Sequence, residues 1–138
     1  MLGEVDNDLD TLGTFLNDFV PRFAPGGVLC GEIGNAEIPP SLGELHGKAN
    51  DMPDALLYDA AQDRLLVVDF AIRRGCIDEM RMQTLSALFK AVNPDKVYVT
   101  VFQSRSSMAE HVQFPAWGSH AWFIEEPGHM IHFGGPAR

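Results

Sequence analysis

Leu9, Leu12, Phe15, Leu16, Phe19, Val20 and Phe23 recur at helical spacing. Residues 9–23 are therefore expected to form a helix with one face on a core, N-capped by Asp6 or Asp8 and closing near Pro21. The Pro-Gly-Gly at 25–27 marks a turn, and VLCGEIG over 28–34 reads as a short strand. Residues 35–53, with Pro39, Pro40, Gly43 and Gly47, are expected to be a long loop holding at most a helical turn. ALLYD (55–59) and RLLVVDFAI (64–72) read as strands joined by four residues, a common hairpin length.

Ile77, Met80, Leu85, Leu88, Phe89 and Val92 make a helical stripe over 77–92, with acids in the first turn and Lys90 in the last, as the helix dipole favours. Asn93 and Pro94 stop it. Met80 and Met82 cannot face the same side, so one of them is expected to be exposed. KVYVTVF (96–102) is a buried strand, parallel to the strand before the helix under the right-handed crossover rule. A loop or short helix over 104–112 follows, then two short strands, HAWFIEE (120–126) and MIHF (130–133). Trp117 and Trp122 are expected in core or tail packing. The fold class implied is α/β: a mixed sheet flanked by helices, with a small β-rich tail.

The chain has 138 residues, 46% of them hydrophobic, enough for one domain with a real core, and a single domain over 1–138 is expected. No apolar run is long enough to span a bilayer and the N-terminus is acidic, which points away from membranes and toward the cytoplasm. Cys30 and Cys76 sit in no metal-ligand spacing and are read as free thiols. His129 and His132 are three apart, but the neighbouring Pro127, Gly128, Gly134 and Gly135 oppose a helix, leaving a structural or hydrogen-bonding role. The formal charge of −9 is uneven: residues 1–59 hold eleven acids against Arg22 and Lys48, while 60–138 balance eight with eight. Acidity disfavours tight nonspecific nucleic-acid binding, yet Arg73, Arg74 and Arg81 leave room for a local phosphate-binding face.

One residue breaks the apolar pattern. Strand 64–72 is apolar on both faces, as a central strand should be, except for Asp69. A buried, isolated carboxylate costs several kcal/mol unless it protonates, pairs or binds a metal. If Asp59 faces Arg64 across the hairpin, regular pairing extended inward sets Asp54 opposite Asp69, with Cβ atoms about 4.5–5.5 Å apart. A divalent cation between the two carboxylates resolves the conflict, and Mg²⁺ commonly takes one or two carboxylates. The alternative is that Asp54 caps a turn and Asp69 pairs with Arg73, Arg74 or Arg81.

The strand order and these acids resemble the PD-(D/E)xK nuclease core. More sharply, FVPRFAPGGVLCGEIGN (19–35), HGKANDMPDALLYD (46–59), LLVVDFAIRRG (65–75), KVYVTVF (96–102), WGSHAWFIEEPGHMIHFGG (117–135) and Arg81 resemble the C-terminal domain of the BsuBI/PstI type II restriction endonucleases. The resemblance implies hydrolysis of double-stranded DNA with Mg²⁺ by a homodimer. Asp54 matches the acid of the PD motif, Asp69 takes the place of the family's glutamate, Glu32 matches an acid after glycine, and His46 matches the histidine upstream of PD. The expected metal ligands are thus Asp54, Asp69 and Glu32. Arg81 is expected near phosphate, and Arg73, Arg74, Arg105 and His46 are the candidate DNA contacts.

Three departures go with the resemblance. Aspartate replaces glutamate at 69. Ile72, Arg73 and Arg74 replace the family's threonine, serine and histidine. Ala71 occupies the motif's lysine position, and Met80 the place of a lysine beside Arg81. Arginine can clamp phosphate but is a poor proton acceptor. Two functions therefore stand: a Mg²⁺-dependent endonuclease domain, or a weakened nuclease fold that binds DNA or a protein without catalysis. The family's enzymes carry a further N-terminal region, so the chain is expected to be either a fragment or a stand-alone catalytic half.

Overall fold

A computed structural model describes residues 10–32, 35–36, 38, 40–45, 51–110 and 115–134, with backbone only at 32, 35, 36 and 74. Seven strands form one mixed sheet in the order β2-β1-β4-β5-β7-β8-β9. These are β1 (Val28–Glu32), β2 (Asn35–Ala36), β4 (Ala55–Asp59), β5 (Arg64–Phe70), β7 (Asp95–Phe102), β8 (Ser119–Phe123) and β9 (Met130–Phe133). β3 (Gly43–Glu44) and β6 (Ala91–Val92) pair separately. β4 runs antiparallel to β5, and β5, β7 and β8 are parallel. The expected α/β architecture and the parallel crossover are both present.

The helices are α1 (10–14), α2 (Val20–Phe23), α3 (Ala71–Arg74), α4 (Glu79–Leu88) and α5 (Arg105–Ala109). Between α1 and α2, Phe15–Phe19 is a π-helical turn in which the Val20 N–H donates to Phe15 O. Pro21 has no N–H with which to continue the four-residue ladder. The wider turn brings Phe15 and Phe19 edge-on to Trp122, at ring-centroid distances of 6.2 and 5.4 Å.

Alternation along β5 splits the core into two layers. Leu66, Val68 and Phe70 join Leu12, Phe15, Phe19 and Trp122 on the α1–α2 side. Leu65 and Val67 join Ile77, Leu85, Leu88 and Phe89 on the α4 side. Each fully buried Leu or Phe stabilises the fold by about 1.5–3 kcal/mol. Period two places Asp69 on the α4 side, beyond Val67.

Several expectations are corrected. β5 ends at Phe70 rather than 72: its pairing with β4 stops at Val68 and its pairing with β7 at Phe70, and Ala71 to Arg74 coil into α3, closed by Gly75 at φ 80°. The helix expected over 77–92 spans Glu79–Leu88. Asp78 caps it, and Ala91–Val92 leave it to pair with Gly43–Glu44 inside the expected loop. Gly43 is required there: its φ is 131°, and a Cβ would lie 2.0 Å from Ala91 O. β1 is present over Val28–Glu32, the rest of the expected strand lying outside the described residues; β8 is shorter than expected because 123–126 turns on a Glu126 N–H to Phe123 O bond. Met80, expected on the apolar stripe, is 77% exposed, while Met82 packs inward. Trp122 is core, but Trp117 is 73% exposed. Neither Cys30 nor Cys76 is in a disulfide. Among the described residues no helix is long and apolar enough to cross a membrane.

Candidate active site

The hairpin register of β4 and β5 is the one its ends imply: Asp59 faces Arg64 and Ala55 faces Val68. Asp54, just before β4, and Asp69, on β5, are the next residues, and both are fully buried. Asp54 does not extend the ladder. Its Oδ2 accepts the Phe70 N–H at 2.7 Å, taking up the backbone donor that follows Asp69. The two carboxylates thus come together at one end of the sheet's central pair.

Each has a cation. α3 turns the chain back after Phe70, and Arg73 Nε donates to Asp54 Oδ1 at 2.8 Å. At α4, the Asp78 side chain accepts the Arg81 N–H at 2.9 Å, fixing Arg81 in the first turn. Its guanidinium reaches the β5 face and meets Asp69 twice, Nε to Oδ2 at 2.6 Å and Nη2 to Oδ1 at 3.1 Å; Nη2 also donates to Met52 O at 3.3 Å. The Arg81 side chain is 15% exposed and that of Arg73 30%. The aspartate in the apolar strand is therefore compensated by an arginine twelve positions later, one of the two resolutions left open by the sequence. These four side chains sum formally to zero.

The BsuBI/PstI restriction endonuclease domain model matches residues 11–136 of the chain. The chain belongs to this family. It is 30% identical to the type II restriction enzyme BsuBI of Bacillus subtilis, across 91% of the chain and 42% of that enzyme. It is 32% identical to the type II restriction enzyme AplI of Arthrospira platensis, across 62% of the chain and 26% of that enzyme. The structure of SdaI restriction endonuclease superposes with a TM-score of 0.74 at 28% identity, covering 93% of the chain and 43% of SdaI. The BsuBI/PstI-type chain thus spans less than half the length of these relatives.

Of the other residues expected in the site, Glu32 is placed by its backbone, which pairs with Ala55 one position from Asp54; its side chain and that of Arg74 lie outside the described atoms. His46 lies outside the described residues. Arg105 is not brought to the aspartates: its Nε bonds Glu126 Oε1 at 3.0 Å, and its guanidinium lies 5.1 Å from the Phe123 ring centroid. Among the described residues no three His, Cys, Asp or Glu side chains gather as a metal-ligand cluster.

Thr100 is a site residue that sequence reasoning missed. It faces Asp69 across the parallel β5/β7 register, is fully buried, and its Oγ1 accepts the Ile77 N–H at 2.9 Å. This bond ties the approach to α4, and with it Arg81, to the sheet beside Asp69. A threonine in an apolar strand carries no signal, since threonine is a good strand former.

Proposed function

We propose that the chain is the DNA-cleaving domain of a restriction endonuclease, hydrolysing phosphodiester bonds in double-stranded DNA with Mg²⁺ held by Asp54 and Asp69. The observation that carries this reading is the convergence of two fully buried carboxylates at the end of adjacent strands in a chain of this family. The reading includes one domain over 1–138, a homodimer on DNA, and a cytoplasmic setting.

The donor set fits the ion. Both candidate ligands are hard carboxylate oxygens, the kind Mg²⁺ takes alongside water and phosphate oxygens. Both already stabilise a positive group, Arg73 at Asp54 and Arg81 at Asp69. When bound, the ion would supply Lewis-acid activation of water and charge stabilisation at the phosphate. Asp54 and Asp69 would hold it, with Glu32 in support. Arg81, released in part from Asp69, would turn its donors to the phosphate oxygens. Arg73 and Arg74 on α3 would contact the neighbouring backbone, with His46 and Arg105 as outer contacts. Arg81 stays protonated at neutral pH, so its role is electrostatic and not that of a base.

A second reading also has an observation behind it. The guanidinium groups already neutralise the two carboxylates and Ala71 stands in place of the motif lysine, which favours a domain that binds DNA or a protein without cutting. Incubation of mixed-sequence double-stranded DNA with the chain and Mg²⁺ or Mn²⁺ separates the two. Discrete cuts that vanish in both Asp54→Asn and Asp69→Asn support the nuclease; intact DNA under all conditions, with a retained gel shift, supports the binding module.

A further inference from the structure

On the opposite face of the sheet, two histidines meet with nothing in the proposed cleavage chemistry to explain them. His120 on β8 and His132 on β9 are directly opposite in the antiparallel register. His132 Nδ1 lies 3.0 Å from His120 Nε2, with the rings 4.5 Å apart and tilted by 47°. The cross-sheet row that contains them begins with Val68 and Val99. Both valines belong to the α1–α2 core, so this row points away from Asp69 and α4.

We propose that His120 and His132 form a cross-strand two-histidine site for a zinc-like transition-metal ion, with His120 Nε2 and His132 Nδ1 as its protein ligands. A tetrahedral zinc with Zn–N bonds of about 2.0–2.1 Å sets its ligand nitrogens roughly 3.3 Å apart. The two nitrogens facing each other here are 3.0 Å apart, so only a small parting of the rings is needed. Imidazole is a preferred ligand for zinc, copper and nickel, and a poor one for magnesium, which keeps this site chemically separate from the carboxylates.

The surroundings favour a neutral His120 and hold both rings in place. Burial, and then the neighbouring His132, hold the His120 imidazole below its ordinary pKa; Arg64 adds to this, while a backbone contact with Tyr98 offsets part of it. Arg64 is itself paired with Asp59 at 3.0 Å. His120 Nδ1 is buried without a hydrogen bond of ordinary geometry among the described residues, while Nε2 faces His132. Beside the other ring, a Cβ at Gly134 would lie 2.6 Å from His132 Nε2, and the glycine leaves that nitrogen room. Coordination needs both facing lone pairs. Whichever ring holds the facing proton, tautomerisation moves it to that ring's outer nitrogen, Nδ1 of His120 or Nε2 of His132, with no net proton release. Two protein ligands leave further positions for water, and the bound ion would pin the edge strand β9 to β8.

The test uses the whole chain with Zn²⁺ alone, followed by calorimetry at pH 7.5 in a tenfold excess of Mg²⁺. One equivalent should bind, with affinity falling at least tenfold in His132→Ala, an exposed edge-strand variant expected to fold. His120→Asn gives a second variant, and far-UV circular dichroism checks both. Substoichiometric Ni²⁺ should broaden the imidazole proton signals of His120 and His132 ahead of the other three histidines. No zinc binding by the wild type, equal binding by folded His132→Ala, or broadening at other histidines first would each overturn the assignment. Because Asp54 and Asp69 take no part, failure here leaves the cleavage reading untouched.

Discussion

Arg81 closes on Asp69 with two nitrogens, spanning from the first turn of α4 to the last but one residue of β5. The carboxylate is fully buried and the guanidinium nearly so. Removing one partner of such a pair costs more than removing both, because the survivor remains charged in a low-dielectric setting. Arg81→Gln should destabilise the chain by about 3–5 kcal/mol, and adding Asp69→Asn should recover more than half of that. Urea unfolding of the two single variants and the double variant measures it. A loss below about 0.5 kcal/mol in Arg81→Gln would mean that Asp69 is compensated by another group.

Arg73 stands where a cation at Asp54 would also act, with its Nε 2.8 Å from Oδ1. Guanidinium and metal then compete for one oxygen. Mg²⁺ or Mn²⁺ should raise the melting temperature of the wild-type chain by binding the native state, and Asp69→Asn should abolish the rise. Arg73→Gln should lower the metal concentration needed for half the effect, about tenfold if the lost competition is worth about 1.4 kcal/mol. A thermal-shift titration gives both quantities. Weaker metal binding in Arg73→Gln would show that the arginine supports the ion and does not exclude it.

The central sheet was legible because its strands are apolar runs bounded by turn residues, and the break in that pattern at Asp69 pointed to the site. The partner was not legible. Whether Asp69 meets Arg73, Arg74 or Arg81 depends on where α4 crosses the sheet, which periodicity does not fix. Ala71 and Ile72 continue the apolar run in sequence, yet the strand stops at Phe70 and the chain turns into α3. Gly43–Glu44 and Ala91–Val92 are too short to carry a period at all. The histidine pair was hidden by register. Strands at 120–126 and 130–133 joined by three residues would set His132 opposite Ile124, whereas the shorter β8 sets it opposite His120.

Gly43 tests the β3/β6 pair that the sequence concealed. Any side chain there meets Ala91 O, and the φ of 131° is open to glycine and costly for other residues. Gly43→Ala should cost about 2 kcal/mol or more, through displacement of Ala91–Val92 and the end of α4. Hydrogen exchange should localise the damage, with the Asn93 amide, bonded to Leu42 O at 2.7 Å, losing protection first. Unchanged stability would mean that the two short strands separate freely.

The His120–His132 contact sets a pH dependence of stability whose sign follows from the depressed pKa of His120. Unfolded, this histidine takes up a proton near its ordinary pKa of about 6.5. Folded, it stays neutral to lower pH, because burial and then the neighbouring ring oppose its protonation. Over the interval between the two values the unfolded chain binds more protons, so stability rises with pH and falls as pH drops below about 6.5. Carboxylates as a class titrate lower, at about pH 4. The histidine share is therefore read between about pH 4.5 and 6.5, from urea unfolding of the wild type against His120→Gln, which keeps a hydrogen-bonding side chain and does not titrate. The wild type should lose stability over that window and the variant distinctly less. Parallel curves for the two proteins would show that His120 titrates alike in the folded and unfolded chains, and that the ring contact with His132 does not restrain its protonation.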